Sequence, residues 1–327
     1  MKHSIRDAHL LSFALEHPWA ITPTMLSVIS SVIARHIAGM DASDEDLKAA
    51  LVNRQNLPQP SAGGAVALIR VHGVIAPRMN MLSDISGGTT FEGLSGQLRE
   101  AVANKSVKNI VLDIDSPGGN VSGATEFARE VLAARTKRPI IAQVQHTAAS
   151  AAYWLASAAT KIVASPSSTV GSIGVYTAHN DVSDALKQLG IKRTYISAGK
   201  GKVDGLDTAM SEDALGRIQA LVDGAYDRMV GDIVKGRGKG VTAEQIRNDW
   251  KAFVYAADEA KGIGMIDEIA TLEQTLASLA PSSMSDGAAA TDSSPALDTA
   301  QEPARVTAQD RAQSTEMQLL EAELLDL

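Results

Sequence analysis

The chain of 327 residues is long enough to bury a sizeable core, and its 45% hydrophobic and 21% charged residues are typical of a globular protein. The formal net charge of −8 argues against a broad cationic surface, so nucleic acid is not an expected partner. The chain contains no cysteine, which excludes disulfides, thiolate metal sites and a cysteine nucleophile.

The N-terminal residues carry no pattern of a signal peptide or membrane anchor. Charged residues, histidines and a proline interrupt the apolar stretch of residues 1–21, so we expect a cytoplasmic protein without an anchor. Apolar residues at helical spacing in residues 24–38 lead us to interpret residues 1–56 as a helical N-terminal preface. The Pro-, Ser- and Gly-rich residues 57–64 are interpreted as a linker.

Residues 65–280 predict one α/β domain. Strand patterns alternate with helix patterns of a length that suits βαβ crossovers, which indicates a largely parallel sheet. The predicted strands are residues 65–75, 108–115, 139–145, 161–164, 170–177 and 191–197. The predicted helices are residues 91–104, 121–136, 150–159, 181–189 and 211–235.

The C-terminal residues 281–327 differ in composition from the rest of the chain. They are rich in Ala, Ser, Asp and Pro, so we expect a disordered tail. The last residues, STEMQLLEAELLDL, place leucines at helical spacing and predict a short acidic amphipathic helix. This helix is either a docking segment or a solvated end.

A glycine-rich turn follows the second predicted strand of the domain. In DSPGGNV, Gly118 and Gly119 stand between this strand and the next predicted helix. Glycine lets a substrate backbone approach closely, and the N–H groups of such a turn can hold an oxyanion. The alternative is a tight βα connection without catalytic function.

Ser150 stands where the next strand ends and the next helix begins. A helix N-terminus favours developing negative charge, so Ser150 is a candidate nucleophile, with the N–H of Ala151 helping to bind the oxyanion. Serine is also a common N-cap residue, which is the structural alternative.

A serine nucleophile needs a base, and the candidates are His146, His179 and a lysine. No acidic residue stands beside His146 in the sequence to orient it, so a triad is possible but not indicated. The patterns GxSxG and HExxH do not occur.

The glycine-rich stretch YISAGKGKVDG offers Lys200 and Lys202 directly after a predicted strand. It does not satisfy the phosphate-binding pattern GxxxxGK[ST], and its plain alternative is a solvated basic hairpin. A desolvated lysine has a lowered pKa and can accept a hydroxyl proton in its neutral form. Such a Ser/Lys dyad requires no metal and no cofactor, and we predict neither.

Four stretches together resemble the signal-peptide peptidase A family of serine peptidases, and especially its phage capsid assembly proteases. They are DSPGGNV, AASAAYWLASAA, TVGSIGV and SAGKGKVDG, in the order that the family has them. The resemblance covers roughly residues 60–275 and implies the ClpP/crotonase-like fold of repeated β-β-α units. It assigns the nucleophile to Ser150, the general base to Lys202, and the oxyanion-binding backbone to Gly119, with Gly118 beside it, and Ala151.

The resemblance also implies a function. We expect a Ser/Lys endopeptidase that cleaves scaffold and portal proteins, and itself, during capsid maturation of a phage or prophage. The implied location is the host bacterial cytoplasm and then the procapsid interior, and the implied assembly is a homo-oligomer with capsid proteins as partners. Two alternatives stay open, namely a soluble cellular protease of the signal-peptide peptidase type and a catalytically silent capsid scaffold module.

Overall fold

Two sheets and their covering helices make up the part of the chain that the structure describes. The computed structural model describes residues 18–25, 65–78, 88–179, 181–206, 208–238 and 240–280. The predicted linker 57–64, most of the preface and the tail 281–327 lie outside these residues. The strands are β1 (Trp19–Ile21), β2 (Val66–His72), β3 (Ile75–Ala76), β4 (Thr89–Thr90), β5 (Asn109–Ser116), β6 (Gly118–Asn120), β7 (Ile140–Ala149), β8 (Lys161–Ala164), β9 (Thr169–Gly171), β10 (Val254–Ala256) and β11 (Glu268–Ile269).

Helices connect most of these strands. They are α1 (Phe91–Ala103), α2 (Ala124–Ala134), α3 (Ala151–Ser157), α4 (Ser183–Gln188), α5 (Glu212–Arg237), α6 (Ala257–Gly262) and α7 (Leu272–Leu279), with a π-helical turn at Gln245–Trp250. None of the helices in the described ranges is long and apolar enough to cross a membrane.

The larger sheet has the strand order β10-β9-β7-β5-β2, and β8 and β11 extend from β7. Every pair in it is parallel except β9 with β10. Strand β7 is long enough to serve two neighbours on one edge, because Ile141 to Val144 pair with β8 and Thr147 to Ala149 pair with β9. The predicted α/β class with a largely parallel sheet is confirmed.

A second, four-stranded sheet has the order β1-β6-β3-β4. Its strand β1 runs antiparallel to β6 and comes from the region predicted as a helical preface. For Trp19–Ile21 that prediction is wrong, because Trp and Ile favour extended backbone and prolines at positions 18 and 23 limit the segment to three residues.

The core lies between the large sheet and helices α1, α2, α3 and α5. Strand β5 is buried along most of its length because helices cover one face and α7 covers part of the other. A strand enclosed in this way reads as the continuous apolar run that identified it in the sequence.

Four predicted elements differ from the structure, and one of them is the predicted strand 170–177, which ends at Gly171. The predicted strand 65–75 is broken at Gly73, whose φ of 67° turns the chain from β2 into β3. The predicted helix 121–136 begins only at residue 124, because Gly118–Asn120 form a strand. Residues 191–197 form no strand and are exposed, since no neighbouring strand pairs with this segment among the described residues.

The long helix α5 is fastened at its C-terminal end by a buried ion pair. Arg237 donates from Nη1 to Asp267 Oδ2 at 2.8 Å and from Nη2 to Asp267 Oδ1 at 3.1 Å. Its Nη2 also donates to the carbonyl oxygen of Gly264 at 3.0 Å.

We expect Arg237→Ala to lower the free energy of unfolding by about 3 kcal/mol, because it leaves the Asp267 carboxylate in a dry site without its guanidinium partner. Arg217→Ala on the same helix removes an exposed pair with Asp213 and is the matched control, with an expected loss below about 0.5 kcal/mol. Urea unfolding followed by circular dichroism measures both, and equal losses would contradict the prediction.

Candidate active site

Ser150 occupies the junction between the C-terminal end of β7 and the first turn of α3. Its backbone has φ 54° and ψ −115°, a combination that side chains with a Cβ rarely adopt. Strain of this kind costs about 1–3 kcal/mol and persists only where the surroundings enforce it. Two backbone bonds do so here, since Ser150 N donates to Gly171 O at 2.7 Å and Trp154 N donates to Ser150 O at 2.9 Å.

The Ser150 side chain is not an N-cap. It accepts no hydrogen bond from the first turn of α3, and its hydroxyl donates instead to the carbonyl oxygen of Gly174 at 3.2 Å. The residue is fully buried. The structural alternative therefore does not explain why a serine stands at this position.

Helix α3 is a rigid support for Ser150. All seven of its residues are buried, and Tyr153 donates from its hydroxyl to the carbonyl oxygen of Met265 at 2.8 Å. Burial raises the pKa of the Tyr153 hydroxyl, so this group stays a neutral donor. The last turn of the helix packs on Gly236 of α5, where a Cβ would lie 2.2 Å from the Ser157 carbonyl oxygen.

Gly118 and Gly119 belong to strand β6, so the predicted oxyanion turn is a short strand. A Cβ on Gly119 would lie 2.0 Å from the Ile75 carbonyl oxygen, which no side chain tolerates. A Cβ on Gly118 would lie 3.0 Å from the carbonyl oxygen of Ala149, the residue before Ser150. The two glycines therefore let β6 approach the candidate nucleophile.

The N–H groups of the two glycines differ. Gly118 donates to the Ser116 hydroxyl oxygen at 3.2 Å. The Ala151 N–H has no backbone acceptor in the described ranges and stands at the start of α3. Gly119 lies opposite Ala20 in the pairing of β6 with β1, so Ala151 is the predicted donor without a backbone acceptor among the described residues.

Lys202 does not meet Ser150 within this chain. Both Lys202 and Lys200 are exposed, and no hydrogen bond joins either amine to another group among the residues described. Their loop belongs to a segment that we call the lysine arm, residues 181–206, in which most residues are exposed. The Ser/Lys dyad stays a prediction.

The fold creates one pair that the sequence did not indicate. His146 Nδ1 lies 3.2 Å from Asp115 Oδ2, because the ends of the adjacent parallel strands β7 and β5 meet. The His146 side chain is 75% exposed and makes no hydrogen bond to Ser150. The other candidate base, His179, bonds through Nε2 to the Thr208 carbonyl oxygen at 2.8 Å. Neither histidine is in contact with the nucleophile as a base would be.

Within the described residues, no group of three or more histidine or acidic side chains is arranged to hold a metal ion.

Comparison with known sequences identifies the family. The model of peptidase family S49 matches residues 133–284, a stretch that contains Ser150, α3 and the lysine arm. Peptidase family S49 is therefore the family that the chain resembles. Its α/β architecture with a largely parallel sheet is the ClpP/crotonase-like fold of S49 peptidases, as the resemblance implied.

Relatives within the S49 family come from bacteria and from phages. The chain is 27% identical to Protease 4 of Salmonella typhi over 82% of its own length and 43% of that protein. It is 27% identical to Capsid assembly protease C of Escherichia phage lambda over 80% of its own length and 62% of the relative. It is 26% identical to Head-tail preconnector protein GP5 of Enterobacteria phage P21, over 84% and 57%. The chain thus spans about half of the length of these relatives.

The strain at Ser150 leads to a stability prediction. We expect Ser150→Gly to be more stable than Ser150→Ala by about 1 kcal/mol, since glycine accepts the positive φ and both variants lose the hydroxyl. At Ser157, in the regular helix α3, the order should reverse and Ala should exceed Gly by about 0.5–1 kcal/mol. Chemical denaturation of the four variants tests this, and the same order at both sites would refute the strain.

Proposed function

We propose that the chain is a serine endopeptidase whose nucleophile is Ser150. The observation that carries the proposal is the strained, rigidly supported serine beside the glycine strand β6. Strain held at such a position is characteristic of functional sites rather than of ordinary helix starts. The match of residues 133–284 to the model of peptidase family S49 supports the same assignment.

In the proposed reaction Ser150 Oγ attacks the carbonyl carbon of a peptide bond and passes its proton to the neutral amine of Lys202. The negative charge that develops on the carbonyl oxygen is held by the N–H groups of Gly119 and Ala151. The lysine then protonates the leaving amine as the C–N bond breaks. Water, deprotonated by the same lysine, attacks the acyl-enzyme and releases the carboxylic acid and Ser150.

We propose further that Lys202 reaches the Ser150 of a second copy of the chain. The lysine arm leaves large apolar side chains uncovered, with Leu189 72% exposed and Ile196 99% exposed. Burying such side chains gains about 1.5–3 kcal/mol each, and contact with another copy would also remove water from the Lys202 amine. The proposed protein is therefore a homo-oligomer in which Ser150 of one subunit and Lys202 of another form each dyad.

The proposed substrates are scaffold and portal proteins of a phage or prophage capsid, and the chain's own tail. The names of two relatives, Capsid assembly protease C and Head-tail preconnector protein GP5, support this choice. The corresponding location is the bacterial cytoplasm, followed by the procapsid interior. Protease 4 among the relatives keeps a soluble cellular protease as the second candidate, and a silent capsid scaffold is the third.

The dyad is tested by following intact mass over time, for the chain alone and with candidate scaffold and portal proteins. We expect shortening of the chain or its substrates by the wild type and a rate at least a thousandfold lower for Ser150→Ala and Lys202→Ala. Lys200→Ala, two residues away on the same loop, is the matched control and should keep activity within about threefold. Equal loss at both lysines would reject the assignment of Lys202.

Mixing tests the dyad between subunits. Ser150→Ala chains still offer Lys202, and Lys202→Ala chains still offer Ser150, so a mixture of the two inactive variants should recover about a quarter of wild-type activity. Random assembly into dyads gives that fraction, because one pairing in four joins an intact serine to an intact lysine. A mixture as inactive as its components, with subunit exchange verified by native mass spectrometry, would place both residues in one chain.

A further inference from the structure

Strand β1 lies between two backbone edges beside Ser150. On one side it pairs antiparallel with the glycine strand β6, with Ala20 opposite Gly119. On the other side Trp19 N donates to Tyr176 O at 2.8 Å and Tyr176 N donates to Trp19 O at 3.0 Å. Strand β1 thus lies in a slot between β6 and the segment around Tyr176. It forms three residue pairs on the β6 side and one on the Tyr176 side.

Both walls of this slot lie close to the candidate nucleophile, one at the preceding residue Ala149 and the other at the Ser150 hydroxyl. Gly118, on β6, approaches the carbonyl oxygen of Ala149. On the opposite wall, Gly174 accepts the hydrogen bond of the Ser150 hydroxyl and lies two residues before Tyr176. An extended peptide that presents a carbonyl to Ser150 would therefore pair with these two edges, as peptides commonly do when they add a strand to a sheet.

The Ala20 carbonyl oxygen faces the N–H group of Gly119, which is a predicted oxyanion donor. Hydrogen bonds from Val121 N to Pro18 O and from Thr22 N to Pro117 O, at 3.4 and 3.1 Å, mark bonded pairs on either side of Ala20. Antiparallel strands bond at alternate pairs, so the intervening pair is bonded as well and Gly119 N–H faces Ala20 O. That oxygen would lie 2.2 Å from a Cβ on Gly118.

The low exposure of β1 and of Ser150 also indicates that the slot is filled. Trp19, Ala20 and Ile21 are 1%, 0% and 2% exposed, and Ser150 is 0% exposed. A nucleophile must be reached by its substrate, yet here the chain's own strand fills the space between the walls of its site.

We propose that Trp19–Ile21 is an internal blocking strand that occupies the place of the substrate peptide and keeps the site latent until it leaves. The proposal rests on the proposed peptidase function of Ser150. An attached strand competes at a high effective concentration, so a separate peptide enters only when β1 is released. Because the methyl group of Ala20 is fully enclosed where it faces Gly119, the substrate should carry a small residue at this position.

A reversible crosslink tests the proposal in the full chain, which has no cysteine of its own. Trp19 and Tyr176 form a bonded antiparallel pair, whose Cα atoms lie about 5.5 Å apart and suit a disulfide. The variant Trp19→Cys/Tyr176→Cys therefore locks β1 in place when oxidised, whereas the reduced form leaves β1 free to leave the slot and exchange with a separate peptide. The two single-cysteine variants are matched controls, because they cannot form the crosslink within one chain.

The first readout is peptide binding, measured by fluorescence anisotropy in a Ser150→Ala background so that nothing is cleaved. The probe is a fluorescein-labelled peptide of residues 16–24, EHPWAITPT. We expect the reduced double variant to bind it at least tenfold tighter than the oxidised form, and the single variants to be indifferent to oxidant. An arginine in place of the peptide's alanine should abolish binding. Equal binding in the two redox states, or none in either, would overturn the proposal.

The second readout is cleavage of candidate substrates with Ser150 present. Cleavage by the reduced form but not by the oxidised form is the expected result. Equal cleavage by both would refute the blocking strand and leave the peptidase function standing. Peptide binding that depends on the redox state, without cleavage in any state, would support the blocking strand and refute the proposed catalysis.

Discussion

The site depends on one constraint, which is that Ser150 holds a backbone conformation disfavoured for any residue with a Cβ. The chain must turn there from β7 into α3, and the turn is fixed by backbone bonds to Gly171 and Trp154. A helix buried on all sides prevents relaxation, since any movement of α3 would disrupt the tightly packed core. The side chain is thereby aimed away from its own helix and toward the carbonyl oxygen of Gly174.

Glycine makes the second half of the site possible. Strand β6 passes so close to Ile75 and Ala20 that neither Gly119 nor Gly118 has room for a Cβ, and a Cβ on Gly118 would also lie 3.0 Å from Ala149 O. This proximity joins the small sheet to the end of the large one, and it brings backbone N–H groups next to Ser150. Fold and proposed chemistry therefore need the same two residues for the same steric reason.

Two events stand between this conformation and the proposed reaction. A base must arrive, because Lys202 lies on an exposed arm and the Ser150 hydroxyl bonds to a carbonyl oxygen instead. The slot must also be vacated, because Trp19–Ile21 fills it. Both conditions would couple activity to assembly, since docking of another copy supplies the lysine and release of β1 admits the substrate.

The sequence by itself determined the α/β class, the order of most elements and the position of Ser150 at a strand–helix junction, because these follow from local periodicity and from short motifs. It misplaced residues 19–21 and 191–197, since pairing partners far away in the chain decide whether an extended segment becomes a strand. Only the tertiary structure brought Asp115 to His146, joined Arg237 to Asp267 and laid Trp19–Ile21 against the glycine strand. Each of these contacts links residues distant in sequence, and no local pattern encodes which distant segments will meet.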